Sequence, residues 1–189
     1  MPTIDCFLVE PSDEAVETLR RFTFSSVLCS SGVSYHNAEA VLGRVPWSFA
    51  IHGRGSDDYD HSDTRWPKAC ACGYEFHAED QWQRNFTRLW VRRDTGEKWT
   101  LSEVPPGAMW YADWLEGSVP PSSVDGKVLV VKTPGGDWVV DAKSSNGPGW
   151  VRTGAPPNIT VTPSILSGKN PDGSWTYHGW LTNGQLRDV

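Results

Sequence analysis

Eighteen glycines and fourteen prolines, spread along 189 residues, set the first limit on this chain. Proline fixes φ and removes a backbone donor, and glycine enters turn conformations without steric cost, so a chain punctuated this often makes short elements joined by turns. Eleven tryptophans supply large anchors between those turns. The expected architecture is a single α+β domain spanning residues 1–189, β-rich, made of short antiparallel hairpins with a few short helices. Within it, an irregular part at 1–86 precedes a hairpin-rich part at 87–189.

Local signals fill in that outline. Residues 4–9 read as a strand. Ser12 is placed to cap a helix running to about Phe22, with Asp13, Glu14 and Glu17 early and Arg20 and Arg21 late, as the helix dipole favours. Residues 35–43 allow a second helix closed by Gly43, and 79–86 a third. Alternation on both sides of Asp94-Thr-Gly predicts a hairpin. Pro105-Pro106 permits a helical turn through Leu115. Pro120-Pro121-Ser-Ser is the best linker candidate. Beyond it, Pro134-Gly-Gly joins a second pair of strands, Asn158-Ile-Thr-Val-Thr reads as another strand, and residues 175–181 pair with Gln185-Leu186 across Asn183-Gly184.

Composition narrows the functional classes. Seventeen basic residues against twenty-three acidic give a formal charge of −6, which opposes a phosphate backbone unless arginines gather on one face. The densest basic stretch, Arg84, Arg88, Arg92 and Arg93, reads as the solvated face of a strand, so nucleic acid is not an expected partner. The opening residues lack the charged and apolar regions of an export signal, and no apolar run has the length of a membrane span. The expected location is the cytoplasm of the cell that makes the chain, with no membrane partner. Four cysteines, at positions 6, 29, 70 and 72, are then expected as reduced thiols or metal ligands rather than disulfides.

The most specific local pattern is Trp66-Pro-Lys-Ala-Cys70-Ala-Cys72-Gly-Tyr. Two thiols one residue apart, followed by a glycine that relieves the turn, can face one metal ion. A tetrahedral zinc site needs two more ligands. Cys29 and His36 form an upstream pair, so the preferred set is Cys29, His36, Cys70 and Cys72 around a structural zinc, with His77 and His178 as substitutes. The competing reading makes the cysteines small buried hydrophobes. A second cluster, Asp57, Asp58, Asp60, His61 and Asp63, has the chemistry for a hard cation or a general base, although its spacing is not an EF-hand and a solvated loop is the favoured reading. His178, among aromatics near a strand end, is a candidate base or ligand. His178, Asp58 and His61 are therefore the candidate catalytic residues. No nucleophile elbow, phosphate loop, dinucleotide fingerprint or zincin pair is present, and no cofactor site other than the metal set is expected.

The ordered succession Asp94-Thr-Gly-Glu, Pro105-Pro-Gly-Ala-Met-Trp-Tyr-Ala-Asp-Trp, Pro134-Gly-Gly-Asp-Trp, Pro163-Ser-Ile and Tyr177-His-Gly-Trp-Leu resembles an uncharacterised family of tailed-bacteriophage proteins over residues 55–186. The family pattern often carries cysteines after its Ser-Asn and before its Ser-Ile. This chain has Gly147 and no thiol up to Pro163, which argues against a second metal site there. The resemblance implies a bacteriophage origin, host cytoplasm at synthesis, and no established activity. Together with the surplus of aromatics, it points to a structural or interaction protein with a protein partner, either virion or host factor. The alternative is a metal-assisted or acid–base hydrolase using the Asp57 to Asp63 loop with His178.

Overall fold

The computed structural model describes residues 3–24, 28–30, 35–53, 60–115, 117, 126–140, 142 and 150–189. It is mainly β rather than an even α+β mixture: among the described residues, helix is confined to α1 (Trp47–Gly53) and a 3-10 turn at Asp113–Leu115. The chain divides into two compact units, the first formed by Met1–Glu10 with Trp90–Val189 and the second by Pro11–Leu89. The strands are β1 (Thr3–Asp5), β2 (Phe7–Phe24), β3 (Tyr35–Pro46), β4 (Gln81–Arg92), β5 (Lys98–Trp99), β6 (Ala108–Tyr111), β7 (Leu129–Thr133), β8 (Gly136–Val139), β9 (Val151–Ala155), β10 (Asn158–Lys169), β11 (Trp175–Thr182) and β12 (Gln185–Asp188). The division between units falls inside β2 and inside β4.

In the first unit, a five-stranded antiparallel sheet runs in the order β1-β12-β11-β10-β9. Its inward residues Ile159, Val161, Ile165, Tyr177, Leu181 and Leu186 share a buried cluster with Met109, Leu129, Val131, Trp138 and Val140 from the β6-β7-β8 sheet. The other face of β6 and β7 packs Ala108, Trp110, Val128 and Val130 against Val9, Trp90 and Val104. Coverage on both faces explains why Val128-Leu-Val-Val and Ala108-Met-Trp are continuous apolar runs rather than alternating ones. β6 also pairs in parallel with β2 through Phe7↔Ala108 and Leu8↔Met109.

The hairpins expected from turn chemistry form. β4 and β5 pair Trp90 with Trp99 around Asp94-Thr-Gly, and β7 and β8 pair across Pro134-Gly. β11 and β12 close on Asn183 (φ 47°) and Gly184 (φ 72°), the positive-φ pair that a tight hairpin turn requires. Of residues 105–115, only Asp113–Leu115 makes a helical turn, of 3-10 type; the part before it does not. Gly107, at φ 99°, brings the backbone so close to β1 that a Cβ there would sit 2.6 Å from the Asp5 carbonyl oxygen, and the chain continues as strand β6. The linker candidate Pro120-Pro121-Ser-Ser lies outside the described residues.

The second unit corrects three helix expectations. Residues 12–22 belong to β2, which pairs antiparallel with β3 from Glu14↔Pro46 to Phe24↔Tyr35, so residues 35–43 are strand as well. Residues 81–86 open β4, a neighbour of β2. Ser12 does accept a hydrogen bond from the Glu14 N–H, at 3.2 Å; the capping geometry is real, but no helix follows it. Pairing between strands overrides the helix propensity of Ala- and Glu-rich segments.

Candidate metal centre

The Cys70–Cys72 segment is a tight hairpin. Ala69 bridges Glu75, and the Phe76 N–H donates to the Lys68 carbonyl at 2.9 Å. At its tip, the Cys70 N–H donates to the Tyr74 carbonyl at 2.8 Å and the Gly73 N–H to the Cys70 carbonyl at 2.9 Å. Gly73 has φ 92°, a backbone conformation that glycine adopts without strain. This turn presents both sulfurs on one side. His36 is the second residue of β3, opposite Thr23 of β2, and is 1% exposed. Its ring stacks on Tyr74 with centroids 4.2 Å apart and planes inclined by 12°. Cys29 comes from the short segment between β2 and β3.

All four expected ligands converge. The sulfurs of Cys29, Cys70 and Cys72 and a ring nitrogen of His36 lie within 4.8 Å of one another. Cys29 Sγ is 3.9 Å from Cys70 Sγ, and His36 Nδ1 is 3.2 Å from Cys72 Sγ. One tetrahedral zinc with bonds of about 2.3 Å to sulfur and about 2.0–2.1 Å to nitrogen gives edges of about 3.8 Å and about 3.6 Å. These two separations lie near the edges of a single coordination sphere, and three soft thiols with an imidazole are donors that suit zinc. The set could hold a metal ion such as zinc.

The substitute histidines are placed elsewhere. His77 is exposed; its ring meets the edge of Tyr74 at 6.0 Å, its N–H donates to Asp80 at 2.7 Å, and its carbonyl accepts from Arg21. His178 belongs to the first unit, where its ring lies 3.4 Å from the Ser164 hydroxyl across β10 and β11.

The described carboxylates of the acidic loop, Asp60 and Asp63, are engaged in local turns. Asp60 accepts from the Ser62 N–H at 2.8 Å and the Ser62 hydroxyl at 2.6 Å, which holds its carboxyl below the usual range. Asp63 takes both Nε and a terminal nitrogen of Arg65, and His61 stacks on Trp82 at 4.7 Å. Asp57 and Asp58 lie outside the described residues. His61 and His178 fall in different units, so neither unit by itself assembles the alternative catalytic set.

Each arginine of the basic stretch has a built partner. Arg84 Nε is 2.6 Å from Glu17, Arg88 Nε donates to the Ser12 carbonyl at 2.9 Å, Arg92 faces Asp94 at 2.7 Å and Arg93 faces Glu10 at 2.7 Å. Of the tryptophans in the first unit, Trp110 and Trp138 are core residues, Trp150 packs edge-on against Trp138 at 4.9 Å, and Trp114, Trp175 and Trp180 are exposed.

The sequence alone does not single out the surroundings of the centre. Tyr74, the residue after the glycine of the Cys-x-Cys turn, orients His36 by stacking. Beside the same hairpin, Arg21 is 5% exposed and spreads over Trp82 at 3.7 Å and Phe76 at 5.3 Å. No known protein family, curated protein or solved structure matches this chain.

Proposed function

We propose that the chain is a bacteriophage-encoded structural or interaction protein, attached to the virion or binding a host factor, whose second unit is held together by a structural zinc on Cys29, His36, Cys70 and Cys72. The convergence of these four donors is the observation that carries the reading. Four protein ligands fill a tetrahedral sphere and leave no position for water or substrate, which is the arrangement of a structural rather than a catalytic zinc. The hydrophobic inventory supports it. Among the described residues, the first unit has buried clusters of eleven and eight residues, whereas the second has one of Ala15, Ala50 and Phe86, with Leu19, Trp66, Phe76 and Leu89 buried outside it. A small core of this kind calls for a staple, and metal binding free energy is folding free energy.

The interaction half of the proposal rests on exposed aromatics. Trp114, Trp175, Trp180 and Phe24 are 60%, 47%, 44% and 74% exposed, and indoles at the surface are favoured anchors of protein contacts. Elemental analysis of the purified chain tests the metal: a full zinc is expected, and less than about half an ion per chain in zinc-replete preparations contradicts a structural site. Mass spectrometry of purified virions tests the location. Absence from particles removes the virion role and leaves the host-directed one.

A further inference from the structure

Three thiolates around one ion are also a source of electrons, and this centre exposes them unevenly. Cys70 is buried, inside the hydrogen-bonded hairpin. Cys29 and Cys72 are both half-buried, and Leu28, the neighbour of Cys29, is 64% exposed; what marks out Cys29 is its separation from Cys70. The two sulfurs are 3.9 Å apart, whereas a disulfide needs about 2.05 Å. Closing that gap takes a displacement of about 2 Å, which draws both sulfurs away from the positions that a bound ion requires.

We propose that Cys29 and Cys70 form a peroxide-reactive pair whose oxidation expels the metal. This rests on the zinc reading above. The Cys29 thiolate attacks one oxygen of hydrogen peroxide; the O–O bond breaks, hydroxide leaves and takes a proton to become water, and Cys29 becomes a sulfenic acid. The Cys70 thiolate then attacks the Cys29 sulfur, forming the S–S bond and expelling a second hydroxide, which is protonated to water. The two sulfurs lose two electrons in all, the peroxide gains them, and two solvent protons are consumed. Cys72 and His36 remain as ligands, half of the original set, and the ion dissociates. Removal of the ion unties the Cys29 segment, β3 and the Lys68 to Phe76 hairpin from one another. Peroxide therefore acts as a switch on the second unit, while the first keeps its own core.

The test uses the full-length, zinc-loaded protein treated with hydrogen peroxide. A chromophoric chelator follows the released zinc, and peptide mass mapping with fragmentation assigns the oxidised cysteines. Expected is one Cys29–Cys70 disulfide for each ion released, with Cys6 unmodified, and reuptake of zinc after reduction. Zinc retained under peroxide overturns the inference, as does release accompanied by a Cys70–Cys72 disulfide or by sulfinic acids without a disulfide. Because the mapping uses the unaltered chain, the answer does not depend on a cysteine variant folding. Zinc content before treatment separates the two readings: a chain that carries no zinc from the start overturns the structural-zinc proposal and this one together, whereas zinc carried and kept overturns this one alone.

Discussion

Arg21 and Asp80 show how the second unit keeps charged groups under cover. Burial pulls the Arg21 guanidinium down from its ordinary pKa, and the charges of Asp80 and Glu79 oppose that pull. Burial pushes the Asp80 carboxyl up, but hydrogen bonds from the His77 N–H and Thr23, with the charges of His77 and Arg21, outweigh it and leave the group below its usual value. Asp80→Asn removes a charged acceptor beside a buried cation and should cost about 1.5–3 kcal/mol, read as a lower denaturation midpoint for the second unit. Cys6 gives the opposite case in the first unit. Burial, with a smaller contribution from Asp5, raises its thiol to about 12 against a backbone hydrogen bond that lowers it. The native state therefore holds this proton where the unfolded chain, titrating at about 8.5, has released it. The Cys6 contribution to stability is whole below about pH 8.5 and is lost as pH rises toward about 12. Native protein should resist alkylation at Cys6 in mildly alkaline buffer and react once unfolded. The stability gap between wild type and Cys6→Ala should narrow over the same rise in pH; rapid native labelling of Cys6 would contradict this.

At the scale of elements, the hairpins were legible in the sequence and the long strands of the second unit were not. Asp94-Thr-Gly, Pro134-Gly-Gly and Asn183-Gly184 carry turn chemistry that few other structures tolerate, so strand pairing on either side could be read directly. β2 hid its period. Its covered residues Ala15, Glu17, Leu19 and Arg21 do recur at every second position, but two of the four are charged, and charge on a covered face defeats a search for apolar alternation. The same holds for β4, where Arg84 and Arg88 share a period-two register with Trp82 and Phe86, Arg84 lying against Glu17 and Arg88 over Trp47 at 4.9 Å. Acidic-early and basic-late residues in β2 looked like a response to a helix dipole; Glu17 and Arg21 are in fact partners for Arg84 and for the Trp82 ring. Glu17→Ala, which removes the carboxylate facing Arg84, should cost about 3 kcal/mol. A urea midpoint unchanged from wild type would show that this pair is not a fixed part of the sheet. In the first unit, Leu181→Ala cuts into a fully buried cluster and should cost about 2–5 kcal/mol in that unit's own transition.

At the scale of the molecule, the two units draw on different sources of stability. Among the described residues, the first has two large apolar clusters, and the second combines a smaller apolar set with the buried polar residues Ser12, Glu17, Thr18, Arg21 and Asp80 and four converging candidate ligands. The candidate ligand set was readable because its residue types are distinctive: Cys-x-Cys before a glycine, with a second cysteine–histidine pair upstream, supplies four zinc-type donors. Its supports were not, because Tyr74 and Arg21 are ordinary residues until the fold places them. Chelation of zinc should therefore release the backbone amides of the second unit to exchange and leave the protection of β10, β11 and β12 in place. Uniform loss of protection across both units would contradict separate sources of stability.

The most direct measurement is native mass spectrometry of the full chain from zinc-replete preparation, alongside the Cys70→Ser, Cys72→Ser double variant. One zinc is expected on the wild-type chain and none on the variant. A wild-type chain that is folded, protected in β2 and β3, and metal-free would contradict this.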